Sequence, residues 1–349
     1  MRYNNVYIES LGYALPENIL TTVELEDKLK PLYERLKLPY GRLEQMSGIK
    51  ERRYWENGTM PSDASTMAAK SALKKAPHID KSDIGCILHT SVSRDFLEPA
   101  SANVVHNSLG LRDDCIVYDI SNACLGFLNG VISVADKIEL GHIEAGIVVA
   151  GENGKPLLDS TIKKLITDET LTRKNIKEYI ASLTIGSGAA AAILTNERLT
   201  KNGHKLLGGT VQSNTKFNEL CRSIPDTGVY TGKDIMMTTD SEAVLKNGCV
   251  LAKKTWDILK GELEWKNDTA DMFFCHQVGT THKKALFETL EIDEKKDFST
   301  VEFLGNVGSV SLPLTVSMGD EKGLLKPNDN VALFGIGSGL NCIFLGLNW

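Results

Sequence analysis

The chain has no cysteine pair at CxxC spacing, no long apolar run and no excess of positive charge. Each absence removes a class of function. Seven scattered cysteines, an odd number, argue against a disulfide framework and against a structural zinc site. A reducing cytoplasm is the expected setting. A net charge of −6 argues against a nucleic-acid groove or a face for anionic membranes. Ala189–Leu194 is only a short buried run, far below the length of a transmembrane helix. The N-terminus reads as a first strand and lacks the apolar core of a secretory signal. Low-complexity sequence is also missing, so the whole chain is expected to fold. At 349 residues, 42% of them hydrophobic, it can hold a large core or two fused halves.

What is present repeats itself. Ile84–Ser93 reads as a strand entering a polar loop, followed by a strand (Cys115–Ile120) leading to Cys124, a helix, and a strand from Ala145. Later, Asp271–His276 reads as a strand entering a loop. Val301–Asn306, a helix over Ser309–Met318 and a strand from Asn330 then follow the same plan. Strands alternating with helices suggest parallel sheets covered on both faces. The first half closes with the glycine-rich strand around Gly186–Leu194, and the second opens at His204. The halves are therefore placed at 1–200 and 201–349, in one compact unit. Helical insertions are expected near 22–37, entered through Thr21-Thr22, and near 156–182, with Asp168 or Thr170 as a cap. Both could cover the mouth of a site.

Cys124 stands at the start of a glycine-containing apolar helix, where unpaired N–H groups favour a thiolate. Taken alone, it fits a small core residue as well. His276 follows an apolar strand and would serve as a satisfied core histidine. Asn306, with glycines nearby, suits a left-handed turn. Gly335-Ile-Gly-Ser-Gly339 lies at the chain end with no βαβ unit after it, which argues against a dinucleotide site. Gly186-Ser-Gly-Ala reads as close packing, not a phosphate cradle. A duplicated α/β chain nevertheless brings Cys124, His276 and Asn306 onto equivalent loops, where sites on such sheets gather. The order Cys, His, Asn also occurs in papain-like proteases. Here the signature around the papain cysteine is absent, and no secretory signal supports that reading.

Five segments in order carry a family resemblance: Gly48-Ile-Lys-Glu-Arg-Arg53, Ser121-Asn-Ala-Cys-Leu-Gly126, His276-Gln-Val, Leu304-Gly-Asn306 with Leu312-Pro313, and Gly335–Gly339. Together they resemble the ketosynthase III branch of the thiolase superfamily. The resemblance implies a thiolase-like α/β fold, with two pseudo-symmetric halves, mixed sheets and buried central helices in αβαβα layers. It implies Cys124 as the acyl-accepting nucleophile, with His276 and Asn306 donating hydrogen bonds to an enolate oxygen. The Cys124 N–H and the Gly335–Gly339 loop, at Gly337 and Ser338, would hold the acyl oxyanion.

The loop Thr90–Pro99, with Glu98 before Pro99, is similar to that of the OleA-type branch of long-chain olefin biosynthesis. So are His282 after His276, Cys221-Arg222 and Leu340-Asn341. That branch joins two fatty acyl-CoA molecules without decarboxylation, giving a 2-alkyl-3-oxo acid. The implied base is Glu98, reaching across a homodimer into the partner's site. By itself Glu98 could be a helix-end charge, with Pro99 opening the helix Ala100–Leu109. Direct proton removal needs a base, whereas decarboxylation of a malonyl thioester does not. Gly279 and Ser187 depart from the malonyl-using pattern, as does Leu43-Glu-Gln-Met in place of a tryptophan. The alternatives are a decarboxylative synthase using malonyl-ACP, a thioester-hydrolysing relative, and a silent acyl-binding partner subunit. No metal or redox cofactor is expected, because CoA enters on the substrate. CoA-binding residues are not assigned. Downstream lipid-pathway enzymes are possible partners.

Overall fold

The computed structural model describes residues 1–224 and 234–349. Among them the strands are β1 (Tyr7–Ala14), β2 (Asn18–Thr21), β3 (Glu51–Tyr54), β4 (Ile84–His89), β5 (Ile116–Asp119), β6 (Ala145–Glu152), β7 (Gly188–Thr195), β8 (His204–Ser213), β9 (Cys221–Ser223), β10 (Met237–Thr239), β11 (Met272–Cys275), β12 (Asn330–Gly337) and β13 (Asn341–Asn348). Nine of them run in the order β11-β12-β13-β8-β1-β7-β6-β4-β5. Only Tyr7 and Ile8 of β1 pair with β8, so the sheet is two half-sheets joined at a narrow seam.

The halves share one plan, except that β5 has no strand counterpart. β4 and β6 are parallel, as are β11 and β12. β6 pairs antiparallel with β7, and β12 with β13. The sheets are thus mixed, not purely parallel, because β7 and β13 return beside the strands they follow.

The strands read as unbroken apolar runs because both faces are covered. Successive side chains point to opposite faces. Along β6, Val148 and Ala150 enter the central core, while Ala145, Ile147 and Val149 face an outer one. Along β13, Ile343 and Leu345 point inward and Cys342 and Phe344 outward. The central core also takes Val131 and Val134 from the helix Gly126–Glu139, and Leu312 and Val316 from Ser311–Glu321. These two helices lie between the half-sheets. Pro61–Lys75 covers one outer face, where Ala64, Ala68 and Ala72 let helix and sheet approach closely. Ser241–Leu263 and Thr280–Leu290 cover the other. The result is five layers, αβαβα.

Several local expectations need correction. Val301–Asn306, the counterpart of β5 and its loop, is a one-turn helix over Val301–Leu304. The Leu304 and Gly305 N–H groups are satisfied within that turn, so only Asn306 forms a bridge, to Ile185. The stretch 156–182 is three pieces: Lys155–Thr167, a 3-10 turn at Asn175–Tyr179, and Ile180–Leu183. Asp168 ends the first of these, bonding Lys164 and the Thr170 N–H. The stretch 22–37 divides at Leu29 into Thr22–Lys28 and Lys30–Leu36, because Pro31 opens a second helix. Thr21 caps the first, in a capping box with Glu24. The helix after Pro99 runs Ser101–Leu109, one residue later than expected. Its first N–H groups, from Ser101 and Ala102, are taken by the Asp119 carboxylate at 2.9 Å.

Candidate active site

Cys124 is delivered by a short strained turn. Ala123 has φ 45°, a left-handed conformation that costs an L residue on the order of 1–3 kcal/mol. A 3-10 turn at Ala123–Leu125 then feeds the helix Gly126–Glu139. A chain of amides fixes this turn. Asn122 donates to Asn129 Oδ1 at 2.7 Å, and Asn341 donates to Asn122 Oδ1 and to the Ser338 carbonyl. The nucleophile turn is thereby tied to the Gly335–Gly339 loop. Gly337 is needed for the approach: a Cβ there would stand 2.9 Å from Leu125 Cγ and 3.7 Å from Cys124 Cβ.

His276 follows β11 directly, and its N–H continues the ladder to the Phe334 carbonyl at 2.9 Å. Its Nδ1 is buried with no hydrogen-bond partner among the described residues. Asn306 is held on both sides: its N–H donates to Thr184 O and its carbonyl accepts from Gly186 N–H, each at 2.9 Å. Gly305 makes the turn before it, with φ 67°. The Asn306 Oδ1 accepts from the Gly308 N–H at 3.0 Å and from Ser311 Oγ. With Oδ1 engaged, the Nδ2 group is the end left to donate into the site.

Cys124, His276, Asn306, Gly337 and Ser338 all line one cavity of about 1200 Å³. That exceeds the roughly 300–1,000 Å³ of ordinary small-molecule pockets. Its wall is mainly apolar, from the helices after Gly154 and Asp240 and from β12. Among the described residues no cluster of metal-ligating side chains occurs, and no helix is long and apolar enough to cross a membrane.

Burial opposes the thiolate that the helix start favours at Cys124. Burial in the apolar cavity pushes its thiol up to about 12, and the nearby Glu152 carboxylate adds to the shift. Burial, with His282 adjacent, lowers His276 to about 4. Above that value the imidazole is neutral, and below the raised thiol value the sulfur keeps its proton. Near neutral pH both groups facing the cavity are then uncharged. Alkylation of Cys124 by iodoacetamide should therefore keep accelerating through the usual cysteine range near about 8.5. A plateau reached below neutrality would contradict this assignment.

Glu98 lies apart. It is exposed and does not line the cavity, although the preceding residues Val92 to Leu97 do. The base of its loop is pinned by the buried Glu152 at the end of β6. That carboxylate accepts the Val92 N–H at 2.9 Å, the Ser93 N–H at 3.0 Å, and Ser309 Oγ at 2.7 Å. One side chain thus fixes both the Glu98 loop and the start of the helix after Asn306. Nothing in the local sequence around Glu152 marks this role, because its partners come from two distant segments. Asn129, the acceptor for Asn122, was missed as well. Asn122 and Asn341 stood within recognised motifs, without a role.

A cysteine, a histidine and an asparagine lining one apolar cavity, on equivalent loops of a duplicated five-layer fold, define a condensing enzyme of the thiolase type. Residues 261–349 match the C-terminal family of 3-oxoacyl-[acyl-carrier-protein (ACP)] synthase III. The acyl-CoA:acyl-CoA alkyltransferase of Shewanella oneidensis is 40% identical, covering 100% of both chains. That of Xanthomonas campestris is 36% identical over 100% of both. The structure of cerulenin-bound Xanthomonas OleA matches with a TM-score of 0.94 at 36% identity, covering 100% of this chain and 98% of that one. Solved forms of that OleA include one with lauric acid and lauroyl-CoA bound, and variants at a cysteine and a glutamate. This chain belongs to the acyl-CoA:acyl-CoA alkyltransferase (OleA) family, within the ketosynthase III branch of thiolase-superfamily acyltransferases.

Proposed function

We propose that the protein condenses two fatty acyl-CoA molecules, without decarboxylation, to a 2-alkyl-3-oxo acid. The observation that carries the reading is the placement of Cys124, His276 and Asn306 in one large apolar cavity. Cys124 Sγ attacks the first thioester carbonyl, giving its proton up as CoA leaves. The acyl oxygen is held by backbone donors at Cys124 and the Gly337–Ser338 loop. A second acyl-CoA then loses its α-proton to Glu98 of the partner subunit. His276 and the Asn306 amide bind the resulting enolate oxygen. Its α-carbon bonds the acyl carbon, and Cys124 Sγ departs. Water cleaves the product thioester to acid and CoA. This sequence balances without a metal or redox cofactor.

The homodimer rests on the Glu98 loop. Val92, Phe96 and Leu97 there are 58%, 51% and 57% exposed, a costly display of apolar side chains unless a second copy covers them. Glu98 precedes Cys124 by the same separation as the glutamate and cysteine varied in the Xanthomonas enzyme. We place the enzyme in the cytoplasm, where acyl-CoA is made and thiols stay reduced. The test is mass spectrometry of products from purified protein and tetradecanoyl-CoA, with and without malonyl-ACP. Product formed from acyl-CoA alone supports the reading; strict dependence on malonyl-ACP returns a decarboxylative synthase.

The enolate roles have their own test. His276→Ala and Asn306→Ala should each slow carbon–carbon bond formation by about a hundredfold or more. Acyl loading of Cys124, followed by intact mass, should slow much less. Equal losses in both steps would refute the assigned roles.

A further inference from the structure

The long helix Ser241–Leu263 opens on Asp240, whose carboxylate accepts the Ala243 N–H at 3.0 Å. It presents Ser241, Val244, Leu245, Gly248 and Cys249 to the cavity, one stripe at helical spacing. Glycine is a poor residue for the interior of such a helix, and nothing in the fold demands one at 248. Its backbone is helical, and a Cβ there would meet nothing nearer than Ile336 Cγ2 at 3.8 Å, an ordinary contact. Gly337, by contrast, has no room for a side chain. What the missing side chain at 248 preserves is space, in a part of the cavity bordered by Ile336, the residue before Gly337. Val244, Leu245, Leu286 and Phe334 line the same cavity, apolar side chains suited to an alkyl chain.

We propose that Gly248 determines specificity, setting the length of alkyl chain the cavity admits. The inference rests on the acyl-CoA reading of the site. Its test is the chain-length profile of condensation, from octanoyl-CoA to hexadecanoyl-CoA. The proteins compared are wild type, Gly248→Ala, Gly248→Leu, Gly248→Phe and, as control, Gly261→Leu. Gly261 is on the same helix, exposed and outside the cavity.

The optimum should move to shorter chains in the order Ala, Leu, Phe. In Gly248→Leu, hexadecanoyl-CoA should lose more than about tenfold in kcat/KM relative to the shorter substrates, the cost of crowding an apolar pocket. Gly261→Leu should keep the wild-type profile. Gly248→Ala fits the space available and should melt higher than wild type, so it reports even if the larger variants fail to fold. An unchanged profile in Gly248→Ala and in the folded larger variants would overturn the proposal, as would an equal loss at every length. If wild type condenses no acyl-CoA, the functional reading fails. Gly248 is then judged by which acyl lengths form an adduct on Cys124 in intact-mass spectra. The same shift supports the role, and no shift overturns it.

Discussion

Cys124→Ala abolishes condensation, with a fall of at least about 10⁴-fold, and leaves the fold intact. The expected loss is this large because acylation creates the electrophile for the second step. The intact mass of wild type should rise by one acyl group after mixing with acyl-CoA, and that of Cys124→Ala should not. The control is internal, since Cys221, Cys249 and Cys275 line the same cavity. Acidity does not single out Cys124. Burial pushes its thiol up, as it does those of Cys249 and Cys275. What singles it out is place: a turn strained at Ala123, packed against Gly337 and held by the Asn122–Asn341 amides. An acyl adduct on another cysteine would refute that account.

Glu98→Gln stops the condensation of two acyl-CoA molecules and spares the loading of Cys124. Glutamine keeps the size and hydrogen bonding but is no base, and losing a positioned base costs about 10²–10⁴-fold. Because Glu98 does not line its own chain's cavity, the two defects should complement. Mixed dimers of Glu98→Gln and Cys124→Ala chains hold one complete site, with Cys124 from one chain and Glu98 from the other. Partial activity should return on subunit exchange. No recovery despite proven exchange would contradict the cross-subunit role. Full activity in the Glu98→Gln homodimer would contradict the base role.

Much of this was legible in the chain. The repeated strand–loop–helix plan and the apolar strands foretold covered sheets, and the spaced motifs foretold the family. What sequence could not give arose from contacts distant in the chain. Val301–Asn306 copies the β5 segment in position but lacks a neighbouring strand along its length, so it closes into a helical turn instead. The helix start that favours a thiolate at Cys124 is a local feature, whereas the burial and the Glu152 charge that oppose it belong to the assembled cavity. Glu152 itself, joining the Glu98 loop to Ser309, has no local signature.

In the proposed reaction both carbon chains come from acyl-CoA with no carbon lost. Acyl-CoA labelled with ¹³C at the thioester carbonyl, supplied with unlabelled malonyl-ACP, tests it directly. Carbonyl carbon of the first substrate becomes the 3-oxo carbon, and that of the second becomes the carboxyl. Each product molecule should carry two labelled carbons, with malonyl-ACP left unconsumed. A product carrying one labelled carbon, formed as malonyl-ACP is consumed, would contradict it.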